Sequence, residues 1–427
     1  MHFIKIRGIH PPQLKLTAKI HTSKAEIPDK LIVPLQQHIG CTASPIVKAG
    51  DYVKKYQKIG AISGNVCANI HAPTSGRVVE VAPKQHPLGK DILSVVIEPD
   101  KRDDCISLKT KDPKGLSRDE LIRIVKEAGI VGLGGAMFPT HLKLSSNKPI
   151  DTVILNGAEC EPCITSDHRV MVEHPEKVVR GLKILMRCVG AKKAYIAIED
   201  NKRDAAETMA REVKDERNID VVILKTSYPQ GAEKIIVANV VGRVVPSGLF
   251  PVDVGVLVNN VSTAKAVYDA VYEGKPLVER IVTITGDVVD PKNLVVKIGT
   301  PIVELVKQCG GYLKTPKKII MGGPMMGIAL PTDNVPVVKG TTSVVVQSNP
   351  EKNEKEACIR CGKCIEVCPM NLSPRTIAFY SEKGMFDKAA NYYPMDCFEC
   401  GACAYVCPAK IPLVSLIRKA KSALKKK

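Results

Sequence analysis

Two runs of cysteine near the C-terminal end carry the plainest chemistry in this sequence. The first reads Cys358-x-x-Cys361-x-x-Cys364-x-x-x-Cys368-Pro369, the second Cys397-x-x-Cys400-x-x-Cys403-x-x-x-Cys407-Pro408. Eight of the fifteen cysteines thus fall into one repeated pattern. Two residues between cysteines let a tight loop turn three thiolates toward one [4Fe–4S] core. The proline after the fourth stops a helix or turn that would carry that thiolate away. Paired Cys-x-x-Cys runs also suit tetrahedral zinc. A third in-phase cysteine and a proline-followed fourth, each present twice, favour iron–sulfur over zinc or disulfides. Such a chain moves electrons.

The second signal is the glycine-rich stretch Gly132-Leu133-Gly134-Gly135-Ala136-Met137-Phe138, with Lys143 one short turn on. It departs from the dinucleotide fingerprint because Met137 takes the third glycine's place, and a helical pattern rather than a strand precedes it. A glycine cluster by itself serves a tight turn as well as a phosphate cradle. Glycines let backbone N–H groups approach an anion or an aromatic ring system closely, and Lys143 offers positive charge to a phosphate or a reduced flavin.

The bulk properties bound the rest. At 427 residues the chain is too long for one core, and 44% hydrophobic with 25% charged residues is ordinary globular composition. No apolar run is long enough to span a bilayer, and Met1-His2-Phe3-Ile4-Lys5 does not open a signal peptide. Cluster assembly and free thiols point to a reducing cytoplasm. The other cysteines (41, 67, 105, 160, 163, 188 and 309) are scattered and odd in number, which argues against a disulfide framework. The net charge of +18 is spread along the chain, and there is no tryptophan to stack on bases. That pattern suits an acidic electron carrier, a dinucleotide or an anionic membrane face better than nucleic acid.

The elements that must position these residues follow from pattern. Residues 1–110 read as a β domain, with strands near Lys30–Leu35, Arg77–Val81 and Leu93–Ile97. Residues 111–275 read as α/β: Ser117-Arg118-Asp119-Glu120 is a capping box, and Leu121, Ile124, Val125 and Ala128 form a helical stripe that Gly129 ends. Buried strands are expected at Thr152–Leu155, Ala194–Ile198, Val221–Leu224 and Gly255–Val258, alternating with amphipathic helices at Pro175–Met186 and Arg203–Lys214. Residues 276–347 fit a small β-grasp module with one helix, Ile302–Gln308. Residues 348–412 form the cluster domain, with helices expected at Pro374–Lys383 and Phe386–Tyr393. Residues 413–427 are a basic tail, read either as a solvated helix end or as a contact for an acidic partner or membrane surface.

Several stretches resemble known families. The cysteine spacing is that of bacterial two-cluster ferredoxins, which implies that Cys358, Cys361, Cys364 and Cys407 hold one cluster and Cys397, Cys400, Cys403 and Cys368 the other. Ile46–Gly60 and Ile70–Val78 resemble the halves of a biotinyl/lipoyl-type barrel-sandwich, but the linking segment Asn65–Asn69 lacks the lysine that is modified there, which suits a docking or structural module rather than a swinging arm. The glycine loop, with Asn156-Gly157-Ala158-Glu159-Cys160-Glu161-Pro162, Tyr228-Pro229-Gln230-Gly231-Ala232-Glu233 and Val258-Asn259-Asn260-Val261-Ser262-Thr263, is similar to the flavin site of the NADH-oxidising subunit of respiratory complex I. The module order, with Met321-Gly322-Gly323-Pro324-Met325-Met326-Gly327 in an SLBB-type β-grasp, resembles over the whole chain the RnfC family of the bacterial Rnf (Rsx) ion-translocating electron-transport complexes.

The resemblance implies an ion-translocating NADH:ferredoxin oxidoreductase subunit, peripheral on the cytoplasmic face of the inner membrane. It implies non-covalent FMN, two [4Fe–4S] clusters, NADH as substrate, and partners that include other subunits and a ferredoxin. Gly132, Gly134, Gly135 and Lys143 would line the flavin loop; Asn156, Glu159, Tyr228, Gly231, Asn259, Asn260 and Thr263 would complete the pocket. Phe138 would stack on the nicotinamide or adenine and Glu161 would lie near the hydride path. No side chain is expected to act as general acid or base. Leu133 stands where complex I has arginine, and Ala232 replaces one of its paired glutamates; both departures bear on nicotinamide affinity. Alternatives are a diaphorase subunit of a soluble flavin–iron–sulfur enzyme and a flavin-free iron–sulfur adaptor.

Overall fold

The computed structural model describes residues 7–108, 110, 112–351 and 354–425. The opening Met1 to Lys5 and the last two lysines, Lys426 and Lys427, lie outside the described residues.

Short alternating segments at the start of the chain build two small sheets. Leu31–Pro34, Asp91–Pro99, Gly76–Gln85 and Tyr52–Val53 pair in that order as one antiparallel sheet, and Ser44–Pro45, Lys58–Ala61 and Ile70–His71 form the other. Leu31, Val33, Val53, Ile59, Ile70, Val78, Val95 and Ile97 fill the space between them. The linking segment docks rather than swings: the Ala68 N–H donates to His38 Nε2 at 3.0 Å, and the Asn69 carbonyl accepts from Lys339 Nζ at 2.8 Å.

The β-branched runs of the second domain form a parallel sheet with both faces covered, as their continuous apolar character requires. Its strand order is Ile219–Leu224, Lys193–Glu199, Thr152–Gly157, Val256–Asn260. Val153, Leu155 and Leu257 join one core with the helices Arg118–Glu127, Pro175–Val189 and Val261–Glu273. Ile154, Val256 and Val258 join another with Glu233–Val241. The helices Pro175–Val189 and Val261–Glu273 cross tightly at Gly181, where a Cβ would fall 1.9 Å from the Ala264 carbonyl oxygen. The capping box at Ser117 is formed as its sequence requires. The chain steps outward from Thr152–Gly157 through two strands, then returns to lay Val256–Asn260 on the other side of the first. That reversal leaves a crevice at the carboxyl ends of the two strands, where Asn156 and Asn260 are register partners.

The β-grasp sheet has six strands, in the order Ser23–Lys24, Lys292–Lys297, Glu279–Gly286, Ser343–Gln347, Lys318–Met321, Ile328–Ala329, with the helix Ile302–Gln308 against it. Its first strand comes from the N-terminal region, a two-residue pairing too short to leave a periodic signal in the sequence.

The cluster domain is helical. The expected helices run Pro374–Glu382 and Phe386–Ala390, and a turn of helix follows each second cysteine of the repeat, Lys363–Glu366 and Ala402–Tyr405. The basic tail departs from expectation. Leu413–Leu424 is a helix whose Leu413, Ile417 and Ala420 are buried against Ile377, Ala378 and Ala389. Its Arg418 and Lys421 are paired with Glu399 at 2.5 and 2.6 Å, so this stretch is part of the domain's core and not a solvated end.

Candidate electron-transfer site

The glycine loop closes over the crevice at the strand ends. An antiparallel bridge from Val131 to Pro139 pins its two ends, with the Gly132 N–H on the Phe138 carbonyl at 2.9 Å. The Leu133 N–H donates to Thr263 Oγ1 at 2.9 Å, which ties the loop to the first turn of the helix Val261–Glu273. A Cβ on Gly134 would press on Asn260 at 3.2 Å, whereas Gly135, at φ +112°, faces open space. Asn260 caps that helix, accepting from the Ser262 and Thr263 N–H groups at 2.8 and 3.3 Å, and donates to Asp167 Oδ2 at 2.5 Å. Gly132, Gly134, Asn156, Asn259, Asn260 and Thr263 are therefore brought together. Phe138 is half-buried at the loop's end.

Other expected residues are held by partners that sequence alone does not reveal. Lys143 Nζ donates to Glu233 Oε1 at 2.6 Å and to the Val258 carbonyl, so its charge is matched by a carboxylate at the sheet edge. Asn156 donates to the Gly231 carbonyl at 2.7 Å and accepts from the Ala158 N–H at 3.1 Å. Glu159 accepts from the Asp167 and His168 N–H groups at 2.7 and 3.1 Å, serving as the N-terminal cap of Ser166–Glu173. Glu161 reaches the β-grasp module instead, accepting from the Met325 and Met326 N–H groups at 3.0 and 2.7 Å; burial raises its pKa while those bonds oppose the rise. Lys15 fastens this segment from outside, donating to the carbonyls of Glu159, Glu161 and Ile164 at 2.9, 3.0 and 2.7 Å. Tyr228, expected beside the flavin, sends its hydroxyl to the Cys400 carbonyl at 2.6 Å.

Three charged residues beneath the loop escape sequence reading. Asp167 is buried, and burial, with help from the nearby Glu159, pushes its carboxyl up to about 6 against bonds from Ser262 and Asn260. Arg280, from the β-grasp sheet, is buried with its guanidinium on the Leu133 carbonyl at 3.4 Å and on the Lys339 carbonyl; burial brings it down to about 10. Lys339 Nζ lies between the carbonyls of Asn69 and Gly129 at 2.8 and 2.7 Å, and burial without a carboxylate partner lowers it to about 7. Each lies far along the chain from the motif it supports, so no local pattern marks it.

The cysteine runs share one backbone plan. Arg360 and Glu399 hold φ +58° and +63°, Gly362 and Gly401 +78° and +82°, and Asn371 and Lys410 +55° and +48°, at matching offsets from the first cysteine of each run. Cys358, Cys361, Cys364 and Cys407 line one cavity with Arg360, Gly362 and Arg375. Cys368 and Cys397 lie close enough to Cys400 and Cys403 that their charges raise the pKa values of both, after the larger effect of burial. The cavity cysteines are those that the resemblance to two-cluster ferredoxins puts around one cluster. Among the described residues no three His, Cys, Asp or Glu side chains converge on a single-ion site. The first set is open, with Cys358 and Cys361 exposed; in the second, Cys368, Cys400 and Cys403 are buried. Donors already point at sulfur: Arg375 Nε to Cys358 at 3.2 Å and the Leu372 N–H to Cys368 at 3.3 Å.

The strand-end site and the buried set meet in one core. Ile9, Tyr228, Cys400 and Ala402 pack together with Cys160, Met325, Phe398 and Val406. At the crevice the Asn259 amide nitrogen is buried without a hydrogen-bond partner, and the Gly135 backbone is open. An unmet buried donor at the strand end fits a cofactor that accepts hydrogen bonds. A cavity of about 890 Å³ around Lys148, Asp151, Arg243 and Asp253 lies at the opposite end of the sheet, where the charged side chains are already paired with one another.

Four family models match successive parts of the chain. Residues 4–102 match the RnfC barrel sandwich hybrid domain, 125–269 the Nuo51 FMN-binding domain, 281–329 the SLBB domain and 357–411 the 4Fe-4S dicluster domain. The C subunit of the Na(+)-translocating ferredoxin:NAD(+) oxidoreductase complex of Acetobacterium woodii is 44% identical over 428 residues, which cover 97% of this chain and 95% of the relative. The C subunit of the proton-translocating ferredoxin:NAD(+) oxidoreductase complex of Clostridium ljungdahlii is 44% identical over 424 residues, covering 97% and 93%. The C subunit of the ion-translocating oxidoreductase complex of Rhodobacter capsulatus is 42% identical over 429 residues, covering 98% and 82%. Among solved structures, a chain of an NAD+-reducing [NiFe]-hydrogenase in the air-oxidized state superimposes with a TM-score of 0.50 at 21% identity, over 65% of this chain and 55% of its own, a likeness of fold.

Proposed function

Because the chain belongs to the RnfC family, the C subunits of ion-translocating ferredoxin:NAD(+) oxidoreductase complexes, we propose that it is the place where electrons pass between a nicotinamide dinucleotide and the complex, through FMN and two [4Fe–4S] clusters. The single observation that carries this reading is the shared core of Ile9, Tyr228, Cys160, Met325 and Cys400, which packs the strand-end site against the buried cysteine loop. When bound, FMN exchanges electrons in pairs with nicotinamide and singly with the clusters.

The chain's own residues bind, orient and insulate. Gly132, Gly134 and Gly135 present backbone to the cofactor, the Asn259 amide supplies a hydrogen bond, and Asn260 and Thr263 fix the loop on the helix start. Glu159 and Asn156 hold the strand-end turn in shape, Glu161 ties that turn to the β-grasp module, and Phe138 borders the side from which nicotinamide approaches. Cys358, Cys361, Cys364 and Cys407 hold the exposed cluster; Cys368, Cys397, Cys400 and Cys403 hold the buried one. The buried set faces the flavin domain, so the exposed set faces the partner that exchanges electrons with this protein. No described helix is long and apolar enough to cross a membrane. We place the chain on the cytoplasmic face of the cell membrane, held there by other subunits.

The test is anaerobic purification with iron, sulfide and released FMN quantified, and the visible spectrum followed as NADH is added. Two cubanes and one FMN, bleached promptly, are expected. Clusters without flavin, and no response to NADH after FMN is resupplied, would leave an electron-transferring adaptor instead.

A further inference from the structure

We propose that Tyr228 is a positioning residue for the buried cluster, setting both its distance from the strand-end site and its electronic surroundings. The proposal rests on the functional reading above and assigns a role to a side chain that sequence resemblance places in the flavin pocket.

Tyr228 is 1% exposed, and its hydroxyl donates to the carbonyl of Cys400 at 2.6 Å. Its main chain is clamped in both directions on Ile9, N–H to carbonyl at 2.9 Å and carbonyl to N–H at 2.8 Å. Three residues on, Gly231 gives its carbonyl to Asn156 at 2.7 Å and its N–H to Cys160 Sγ at 3.5 Å. A continuous line therefore runs from the strand end at Asn156 through Gly231 and Tyr228 to Cys400, with a hydrogen bond at each end and a short stretch of backbone between. On the far side, Met325 completes the junction: the Glu161 carboxylate holds its N–H at 3.0 Å, and its carbonyl oxygen lies 3.0 Å from where a Gly401 Cβ would stand.

The hydroxyl's place is specific. A phenylalanine would fill the same apolar space, so the O–H is present for the Cys400 carbonyl. Burial raises the phenol's pKa further, which keeps it a neutral donor. A donor on the carbonyl of a ligating cysteine draws electron density from the peptide beside the thiolate and so favours the reduced, more negative cluster. The exposed set is addressed differently, by Arg375 Nε on Cys358 Sγ at 3.2 Å. The two clusters thus carry separate side-chain donors, and each can be removed without touching the other.

The experiment uses the full chain, loaded with FMN and both clusters, as wild type, Y228F and R375M. Iron, sulfide and flavin are counted, and both cluster midpoints are followed by spectroscopically monitored redox titration. Y228F is expected to lower one midpoint only, and R375M to move the other only. Rapid freezing after NADH addition should show the Tyr228-sensitive signal reduced first in the wild type, and severalfold more slowly in Y228F. The proposal is overturned if Y228F leaves both midpoints in place, or moves the signal that R375M moves. Should Y228F fail to accumulate, the wild type and R375M still decide: the Arg375-sensitive signal appearing first after NADH overturns the proposal. A wild type that takes up no flavin would instead remove the functional reading, a failure distinct from a loaded wild type whose clusters ignore Tyr228.

Discussion

The Asn259 amide nitrogen is buried and unbonded, while its neighbour Asn260 is used on both sides, as helix cap and as donor to Asp167. The two adjacent asparagines should therefore answer differently to substitution. N259A is expected to leave the unfolding midpoint nearly unchanged, since it removes a polar group that lacks a partner, yet to weaken FMN binding about tenfold, the worth of one hydrogen bond of roughly 1.4 kcal/mol. Fluorescence titration of the flavin-depleted protein with FMN, beside a thermal melt, separates the two effects. A large stability loss with unchanged FMN affinity would mean that the amide serves the fold. The asparagines were legible in the sequence because the motif surrounding them is local. What Lys143, Glu161 and Tyr228 do was not, because Glu233, Met325 and Cys400 reach them only through the tertiary fold.

The helix Leu413–Leu424 shows what an element contributes that composition conceals. Its sequence reads as a basic tail, yet Leu413, Ile417 and Ala420 recur at the spacing of a buried helical face. Arg418 and Lys421 converge on Glu399, which sits between Cys397 and Cys400, and Lys421 also donates to the Cys397 carbonyl at 2.8 Å. Trimming Ile417, which is 1% exposed, to alanine should cost about 2–5 kcal/mol locally. I417A is therefore expected to lose iron faster than wild type on mild heating, with flavin retained, as iron and FMN release along one temperature ramp would show. Equal retention of iron would mean that the helix is dispensable to the clusters. The four strands of the sheet domain and the helices Arg118–Glu127, Pro175–Val189 and Arg203–Glu212 were legible to within two or three residues of their ends, since β-branched runs and amphipathic periods are local; the helices Ser166–Glu173, Glu233–Val241 and Val261–Glu273 were not marked. The pairing of Ser23–Lys24 was not, since two residues carry no period.

Across the whole molecule, Lys339 ties three modules at one buried point. Its ammonium group donates to Asn69 of the barrel-sandwich and to Gly129 ahead of the glycine loop, and its N–H donates to Gln37 Oε1 at 3.0 Å. Burial holds its pKa near 7, below the ordinary lysine value of 10.5. Between those values the unfolded chain keeps a proton that the folded chain has released, so this residue's contribution to stability rises as pH climbs through the window. K339M abolishes that slope. The unfolding midpoint of wild type relative to K339M should therefore rise from pH 6.5 to pH 9, and parallel curves would show that Lys339 does not titrate there. The module order was readable from the sequence; the seams between modules were not, because they are made by single buried side chains such as Lys339, Arg280 and Lys15.

The two cysteine loops follow one backbone plan at matching offsets, but Arg360 in one is exposed where Glu399 in the other is neutralised by two cations. Duplicate scaffolds with unequal access to water need no difference in ligands to differ as electron acceptors. Water stabilises added negative charge, so the solvent-facing copy is expected to sit at the higher potential, downhill from its buried twin. Cover, as much as sulfur, then sets the order in which the two copies accept an electron.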